Sequence, residues 1–193
     1  MVQFVLGSGS PSRLQLLKQI NFQPDIICPA DIDETPLKKE KPIDYVKRMA
    51  ETKAEVVNQK HFGSVILSAD TIVNYQSRII QKPRSNEEIE ELLKFYSSKN
   101  IKLITAIYMI TSDGKRAKKT VETTLKFKHL NQLDIDEYIK GGYGLNKAGG
   151  IMVESMMDSF IIRIIGSYSN VMGLPLYETR NMLISAGIKS INK

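Results

Sequence analysis

Small polar side chains and one arginine lie between an apolar run and a helical pattern near the start of the chain. The stretch reads VLGSGSPSRLQLL, residues 5–17, and its Ser-Pro pair is typical of a helix start. A helix N-terminus that follows a strand offers unpaired N–H groups and the positive end of the helix dipole. Ser8, Ser10 and Ser12 add hydroxyl donors. Arg13 adds a forked cation, so the loop suits an anion such as phosphate. A plain turn capped by Ser10 is an equally weighted alternative, because the loop lacks the Lys of a P-loop and the third Gly of a dinucleotide loop.

Two charged residues fall among apolar neighbours. Lys53 lies on the apolar face of the helix predicted after Pro42, and Asp70 lies inside the buried strand predicted by SVILSADTIV, residues 64–73. A buried carboxylate is costly unless it is paired or bound to a cation. Asp70 is therefore a candidate base or metal ligand, and Lys53 is a candidate anion contact in a cleft. The alternatives are an Asp that caps a turn and a Lys whose stem leads its ammonium to solvent.

An acidic loop and a further lysine complete the candidate site. The loop DIDETP, residues 31–36, includes Glu34 and offers hard oxygen ligands for a cation such as magnesium. Lys82 stands at an element boundary, where binding residues are frequent. Cations for an anion, beside carboxylates for a metal, are the requirements of a phosphate-ester or phosphoanhydride site.

Hydrophobic periodicity predicts alternating strands and helices, and therefore a mixed α/β fold. Ser85 is predicted to begin a capping box, and residues 112–114 (Ser-Asp-Gly) are predicted to form a hairpin turn. Gly187 is predicted to be a helix C-cap. The predicted strands are Val2–Leu6, Val65–Val73, Arg78–Ile80, Lys102–Ile110, Val121–Phe127 and Phe160–Ile165, and the predicted helices are Pro11–Ile20, Ile43–Gln59, Asn86–Tyr96, Ile135–Lys140 and Pro175–Ala186.

Composition narrows the class of protein. The chain has 193 residues, 42% of them hydrophobic, and a formal net charge of +6. This length suits one domain or two lobes, and no apolar run predicts a membrane span or a signal peptide. A single Cys28 allows no internal disulfide, so we expect a cytoplasmic location. The basic clusters at 38–41 and 115–119 are interpreted as solvated loops without interleaved aromatic residues, which disfavours nucleic-acid binding.

Together these motifs resemble the Maf family of nucleoside triphosphate pyrophosphatases. The opening LGSGSPSRLQLL is similar to the family's usual Leu-Ala-Ser-x-Ser-Pro-Arg-Arg-x-x-Leu-Leu. Each motif alone is weak, but the ordered set covers nearly the whole chain and is specific. The further motifs are DIDETP (31–36), KA (53–54), SADTIV (68–73), QKPRSNEEIEELL (81–93), TAIYMI (105–110), NKAGG (146–150) and IIGSYSNVMGLPLYET (164–179).

The resemblance implies an elongated mixed-sheet α/β fold, related to the inosine-triphosphate pyrophosphatases, with residues 1–193 as one Maf-like domain of two lobes around a cleft. It implies a hydrolase that uses Mg²⁺ or Mn²⁺ to convert a nucleoside triphosphate and water to the monophosphate and pyrophosphate. By motif, Asp70 would accept the proton from water and would hold the metal together with Glu34. The cations implied to hold the triphosphate are Arg13, Lys53 and Lys82. The other substrate-binding residues implied are Ser8, Ser10, Ser12, Thr71, Lys147 and Glu154.

Departures from the family pattern bear on the base. Ser12 replaces the first Arg of the usual pair, Tyr143 replaces a usual Glu, and IMVE at 151–154 replaces Tyr-Gly-Ile-Gln. That Gln reads the base in the pyrimidine-specific branch, whereas a branch acting on 7-methylguanosine triphosphate carries Glu there and lacks the Arg. A carboxylate only accepts hydrogen bonds, which suits the adjacent N1–H and 2-amino donors of guanine. We therefore expect a guanine-type substrate such as 7-methyl-GTP, read by Glu154. A dTTP/UTP substrate and a solvent-facing Glu154 are the alternatives.

A non-catalytic nucleotide-binding regulator of cell division is the competing function, since the family was first associated with septum formation. The combination of a candidate base with a metal ligand and two lysines favours catalysis, because a sensor would not need the base. As partners we expect a nucleoside triphosphate, no nucleic acid and no membrane, with a homodimer left open.

Overall fold

The computed structural model describes residues 2–191, which form one seven-stranded sheet and six α-helices. Two short 3-10 helices, Ala148–Gly150 and Met156–Phe160, precede the last strand. Across the described residues, no helix is long and apolar enough to cross a membrane. The elements in chain order are β1 (Phe4–Leu6), α1 (Pro11–Gln19), β2 (Ile26–Ile27), α2 (Pro42–Lys60), β3 (Val65–Tyr75), β4 (Arg78–Ile80), α3 (Asn86–Tyr96), β5 (Asn100–Ile110), β6 (Arg116–Phe127), α4 (Gln132–Lys140), β7 (Ile161–Ile165), α5 (Tyr168–Val171) and α6 (Leu176–Ser185).

The sheet is mixed and has the order β2-β1-β3-β5-β6-β7, with β4 paired to the far end of β3. β1 runs parallel to β2 and β3, whereas β3, β5, β6 and β7 pair antiparallel in succession. The long central pair runs from Ile66↔Ile110 to Asn74↔Lys102. These two strands therefore cross the whole molecule and connect its two ends.

One edge of β3 is shared by two short strands, which leave a gap between them. Leu6 of β1 pairs with Leu67, and the pairing with β4 begins only at Val73. Within residues 2–191, no strand pairs with positions 68–72 on this edge. The chain leaves β1 at this gap and enters α1 through the serine-rich loop. Open sheet edges beside the ends of strands are frequent positions for ligands.

Side chains of β3 alternate between two cores, as the two-residue period of a strand requires. Val65, Leu67 and Ala69 pack in one core with residues of α1 and α6. Ile66 and Ile72 pack on the opposite face in a core formed largely by α2. A third core, around α3, α4 and the far end of the long strands, includes Val73. The alternation places Asp70 on the α2 face and its neighbour Thr71 on the α1 face.

The structure confirms the mixed α/β fold, and most predicted elements agree with it to within a few residues. The predicted hairpin turn connects β5 to β6, where Gly114 has a φ of 82° and Thr111 N–H donates to the carbonyl of Lys115 at 2.9 Å. Gly187, with a φ of 79°, follows α6 as predicted, and Ile188 N–H donates back to Leu183 O at 3.0 Å.

Three local predictions differ from the structure. The two-residue β2 and the one-turn α5 were not predicted, because such short segments carry no periodicity. β6 begins at Arg116 rather than Val121, so most of the second basic cluster lies on a strand, where pairing with β5 imposes the conformation. The capping box at Ser85 is half formed. Ser85 Oγ accepts from Glu88 N–H at 3.3 Å, but the Glu88 carboxylate accepts from Arg84 N–H.

Candidate active site

Asp70 and Lys53 form the centre of the site. Asp70 stands in the middle of β3 with only 7% of its surface exposed, directly facing α2. Lys53 lies on α2 next to the fully buried Ala54, and its Nζ donates to Asp70 Oδ1 at 2.6 Å. The same Nζ lies 2.6 Å from Glu34 Oε1 in the acidic loop. One ammonium therefore bridges two carboxylates, which explains how both an acid and a lysine are accommodated among apolar neighbours.

The loop that carries Glu34 is fastened to α2. Tyr45 Oη donates to the backbone carbonyl of Glu34 at 2.8 Å, and Arg48 donates to the carbonyl of Thr35 at 3.2 Å. Arg48 also forms a bidentate pair with the Glu40 carboxylate, at 2.7 and 2.6 Å. These contacts fasten an otherwise irregular segment to α2.

Charges in the cleft shift the pKa of two of these groups. Burial raises the pKa of Glu34, but hydrogen bonds and charges from Lys53 and Lys82 outweigh it, so the net shift is downward. The Lys82 ammonium lies 3.4 Å from Glu34 Oε2. Burial, together with the negative charges of Asp70 and Glu34, raises the pKa of Tyr45 to about 12. Glu34 is therefore ionised at neutral pH, and Tyr45 remains a protonated hydrogen-bond donor.

Arg13 occupies the opposite wall, in the first turn of α1. Ser10 caps this helix by accepting from Arg13 N–H at 3.5 Å, and Pro11 opens it. The guanidinium donates to Ser8 Oγ at 2.9 Å and to Thr71 Oγ1 at 3.3 Å. Burial lowers the pKa of Arg13, whereas Asp70 and Glu34 raise it, and the net direction is down; an arginine nevertheless stays protonated.

A glycine permits the last contact of this arginine. Arg13 Nε–H donates to the carbonyl of Gly173 at 2.9 Å. Gly173 has a φ of 105°, a conformation that residues with a Cβ rarely adopt. A Cβ there would lie 3.4 Å from Thr71 Oγ1 and 3.7 Å from Arg13 Nε, so a larger residue would crowd the guanidinium.

Two connected cavities lie along the gap in β3. The larger, about 780 Å³, is lined by Glu34, Tyr45, Lys82 and other residues of the acidic loop and the β4–α3 segment. The smaller, about 350 Å³, is lined by Arg13, Lys147 and other residues of the α1 start and the loops around the 3-10 helices. Asp70, Thr71, Lys82, Asn146 and Ala148 line both cavities.

Glu154 and Ser12 lie together at the mouth of the smaller cavity. Ser12 Oγ donates to Glu154 Oε1 at 3.0 Å, and Glu154 is exposed. The structure therefore brings two of the positions that depart from the family pattern, Ser12 and Glu154, into one hydrogen-bonded pair. Because Glu154 is solvated, hydrogen bonding to it is weaker than at a desolvated site.

The residues present fit a divalent cation that arrives with a polyphosphate. Glu34 and Asp70 each direct one oxygen to the Lys53 ammonium, so the two carboxylates lie within reach of one cation bound beside it. In the part of the chain from 2 to 191, no group of three or more His, Cys, Asp or Glu residues forms a metal centre. Mg²⁺ is commonly held by one or two carboxylates and completed by substrate phosphates and water, so two carboxylates suffice.

The structure thus gathers all the sequence-predicted site residues around one gap, with Ser8 and Ser10 positioning the arginine and the helix start. It adds Tyr45, Thr105, Asn146 and Gly173, which the sequence analysis did not single out. Thr105 carried a usable signal, since it is a hydroxyl within the apolar strand KLITAIYMI. Asn146 and Gly173 lie in the motifs NKAGG and IIGSYSNVMGLPLYET, but their positions in the site depend on the approach of distant elements.

The fold and the site define an α/β protein with a central cleft, an acidic pair on one wall and an arginine held by hydrogen bonds on the other. The chain belongs to the Maf-like protein family, whose model matches residues 3–186. A relative from Zymomonas mobilis named "dTTP/UTP pyrophosphatase" is 42% identical over 183 residues, covering 95% of this chain and 91% of the relative. A relative from Caulobacter vibrioides with the same name is 42% identical over 185 residues, covering 96% of each.

A solved structure supports the fold independently. A HAM1 protein from Coxiella burnetii has a TM-score of 0.51 and 15% identity, with coverage of 96% of this chain and 100% of the other. At this identity the likeness concerns the fold alone, and it agrees with the fold expected from the sequence.

Proposed function

We propose that this chain is a divalent-metal-dependent pyrophosphatase that converts dTTP and UTP to their monophosphates and pyrophosphate. Family membership and relatives named as pyrophosphatases support the coarser part, a nucleoside triphosphate pyrophosphatase. The observation that carries the chemistry is the Glu34–Lys53–Asp70 cluster facing Arg13 across one cleft.

In this proposal Asp70 takes the proton of the attacking water. Its Oδ1 is bound to Lys53, whereas no hydrogen bond from residues 2–191 reaches its Oδ2, which leaves that oxygen for a water molecule. Water oxygen bonds to the α-phosphorus, the bond from that phosphorus to the bridging oxygen of the leaving group breaks, and pyrophosphate leaves. Glu34 and Asp70 would hold the divalent cation, which when bound would neutralise phosphate charge. Lys53 positions both carboxylates, and Lys82 and Arg13 bind the phosphates that all substrates share.

In this proposal the enzyme prefers pyrimidine nucleotides, in place of the guanine nucleotides expected from Glu154 and Ser12. The relatives at 42% identity are both named for dTTP and UTP, which favours the alternative substrate over 7-methyl-GTP. In the pair of Ser12 and Glu154 the serine hydroxyl donates its one proton to Glu154 Oε1 at 3.0 Å, so it becomes a donor to the base when the substrate displaces that contact, while the carboxylate remains an acceptor. Uracil and thymine present an N3–H donor beside carbonyl acceptors, so the pair offers the same two functions as the amide of a glutamine.

A substrate panel tests this proposal. We expect the wild-type kcat/KM to be higher for UTP and dTTP than for GTP and 7-methyl-GTP when pyrophosphate release is measured. Ser12→Ala removes the donor and should lower kcat/KM for UTP by roughly tenfold, because one hydrogen bond to the base is lost. Glu154→Gln should retain most UTP turnover, since an amide oxygen still accepts.

Asp158→Asn is the matched control for Glu154→Gln, because it removes an exposed carboxylate of the same segment that lines neither cavity. A wild type that prefers 7-methyl-GTP, with Glu154→Gln eroding that preference, would restore the guanine assignment. Absence of turnover with every triphosphate and metal would instead support the non-catalytic regulator.

A further inference from the structure

A line of hydroxyl groups runs from Arg13 into the sheet. Thr71 Oγ1 accepts from the guanidinium at 3.3 Å and lies 2.9 Å from Thr105 Oγ1. Thr105 is directly opposite Thr71 in the β3–β5 pair, and none of its surface is exposed. Thr105 Oγ1 in turn donates to the backbone carbonyl of Asn170 at 3.2 Å.

The single proton on each hydroxyl fixes the direction of this line. Thr105 uses its proton on the Asn170 carbonyl, so the bond between the two threonines takes its proton from Thr71. Thr71 Oγ1 is then an acceptor only and presents its lone pairs to Arg13. Hydrogen bonds aligned in one direction polarise one another, which strengthens the acceptor at the end of the line.

The far end of the line is anchored. Asn170 is fully buried, and its Nδ2 donates to Thr123 Oγ1 at 2.9 Å on β6. Thr123 Oγ1 in turn donates to Ser167 O at 3.2 Å. The acceptor for Thr105 therefore belongs to α5, and its residue is fastened to β6 through Thr123.

The same contacts determine which donors of Arg13 remain for a ligand. Ser8, Thr71 and Gly173 take three N–H groups, one from each guanidinium nitrogen. A guanidinium has five, so one N–H on each terminal nitrogen has no partner among the described residues. These two N–H groups are available to a ligand, and a pair of guanidinium N–H groups is the fork that suits two oxygens of a phosphate.

We propose that Thr105 is a positioning residue, which sets the orientation of the Arg13 fork through Thr71 and so determines affinity for the triphosphate. The inference rests on the proposed phosphate role of Arg13. Thr105 lines neither cavity of the site and acts only through the hydrogen-bonded line.

Thr105→Val removes the hydroxyl and retains the shape of the side chain. Thr71 then loses its acceptor and can turn its own proton toward Arg13, which disturbs the fork. Loss of an orienting hydrogen bond behind a ligand-binding group costs roughly tenfold in affinity. We expect KM for UTP to rise about tenfold while kcat changes less than about threefold, because a misoriented Arg13 weakens binding common to ground and transition states.

Three further variants make the test specific. Thr105→Ser should restore KM to within about threefold of wild type, because the serine hydroxyl can rebuild the line. Thr179→Val is the matched control, because Thr179 is fully buried on α6 and its hydroxyl has no partner among the described residues, so KM should stay unchanged. In an Arg13→Ala background, Thr105→Val should have no additional effect on KM.

The outcomes are distinct. Equal KM for Thr105→Val and Thr179→Val, or the same loss with and without Arg13, would overturn the positioning role. Melting curves of both Val variants confirm that folded protein is compared, and if Thr105→Val fails to fold, Thr105→Ala replaces it with the same expected rise in KM. A wild type with no turnover on any triphosphate would refute the proposed function instead. Isothermal titration calorimetry with inorganic tripolyphosphate would then still measure whether Thr105→Val weakens the phosphate binding attributed to Arg13.

Discussion

Replacing Asp70 by asparagine tests the assignment of the general base most directly. The amide has nearly the same volume as the carboxyl group, but it does not accept a proton from water at neutral pH. A positioned general base contributes about 10²–10⁴-fold, and the substitution also weakens a metal ligand. We expect kcat to fall about 10³-fold, which corresponds to about 4 kcal/mol of activation free energy.

The fold should survive this change. Lys53 Nζ lies 2.6 Å from both Asp70 Oδ1 and Glu34 Oε1, so the ammonium keeps one carboxylate partner after the substitution. The introduced amide can still present its oxygen to Lys53, and the loss is the difference between a charged and a neutral acceptor, about 1–2 kcal/mol. Domains of this kind have about 5–15 kcal/mol of stability, so the variant should remain folded.

The assay is pyrophosphate release from UTP at saturating substrate, with thermal unfolding measured on the same preparations. Asp113→Asn is the control, because Asp113 lies in the exposed hairpin turn between β5 and β6. Asp70→Asn with kcat within about tenfold of wild type and an unchanged melting curve would refute the assignment of Asp70 as base, since a general base contributes at least about a hundredfold.

Three other predictions concern Glu34 and Arg48 at the acidic loop and Gly7 at the end of β1. The lowered pKa of Glu34 means that its stabilising contribution is present above its unfolded value of about 4.5 and is lost as pH falls through the folded value. The stability difference between wild type and Glu34→Gln in urea unfolding should therefore shrink below about pH 4.5, and a constant difference from about pH 7 to about pH 3 would contradict it. Arg48→Met should loosen the acidic loop and raise the Mg²⁺ concentration for half-maximal activity several-fold. An unchanged metal titration would argue that the Arg48 contacts do not position this loop for the metal. A Cβ at Gly7 would clash with Ser68 Oγ, so Gly7→Ala should lower the melting temperature by about 3–8 °C, and adding Ser68→Ala should recover most of the loss. An equal loss in both backgrounds would exclude this contact as the cause.

Local pattern was sufficient wherever an element depends on its own residues. α3 runs from Asn86 to Tyr96 as predicted, because its apolar positions recur at helical spacing after a serine cap. The hairpin turn at residues 112–114 was predicted because a glycine supplies the positive φ that the turn requires. Local pattern failed for β2 and for the start of β6, since strand formation there depends on pairing with a neighbour distant in sequence.

Residue type in an apolar context was also sufficient to identify Asp70 and Lys53 as unusual. A buried charge requires a partner, so the sequence alone indicated that Asp70 needs compensation and that Lys53 either provides such compensation or reaches solvent. It also determined the small polar loop before α1 and, through the ordered motifs, membership of the family.

Only the tertiary structure decided which groups compensate one another. β1 and β4 share one edge of β3 and leave positions 68–72 open, and the pleat of β3 turns Asp70 toward Lys53 and Thr71 toward Arg13. The pairing of Thr71 with Thr105, the contact of Ser12 with Glu154 and the approach of Gly173 to Arg13 all join residues far apart in sequence. Hydrogen bonds and ion pairs act over about 3 Å, and sequence spacing carries no information on which distant groups come within that range, because the chain path between them is set by the packing of the whole sheet and its helices.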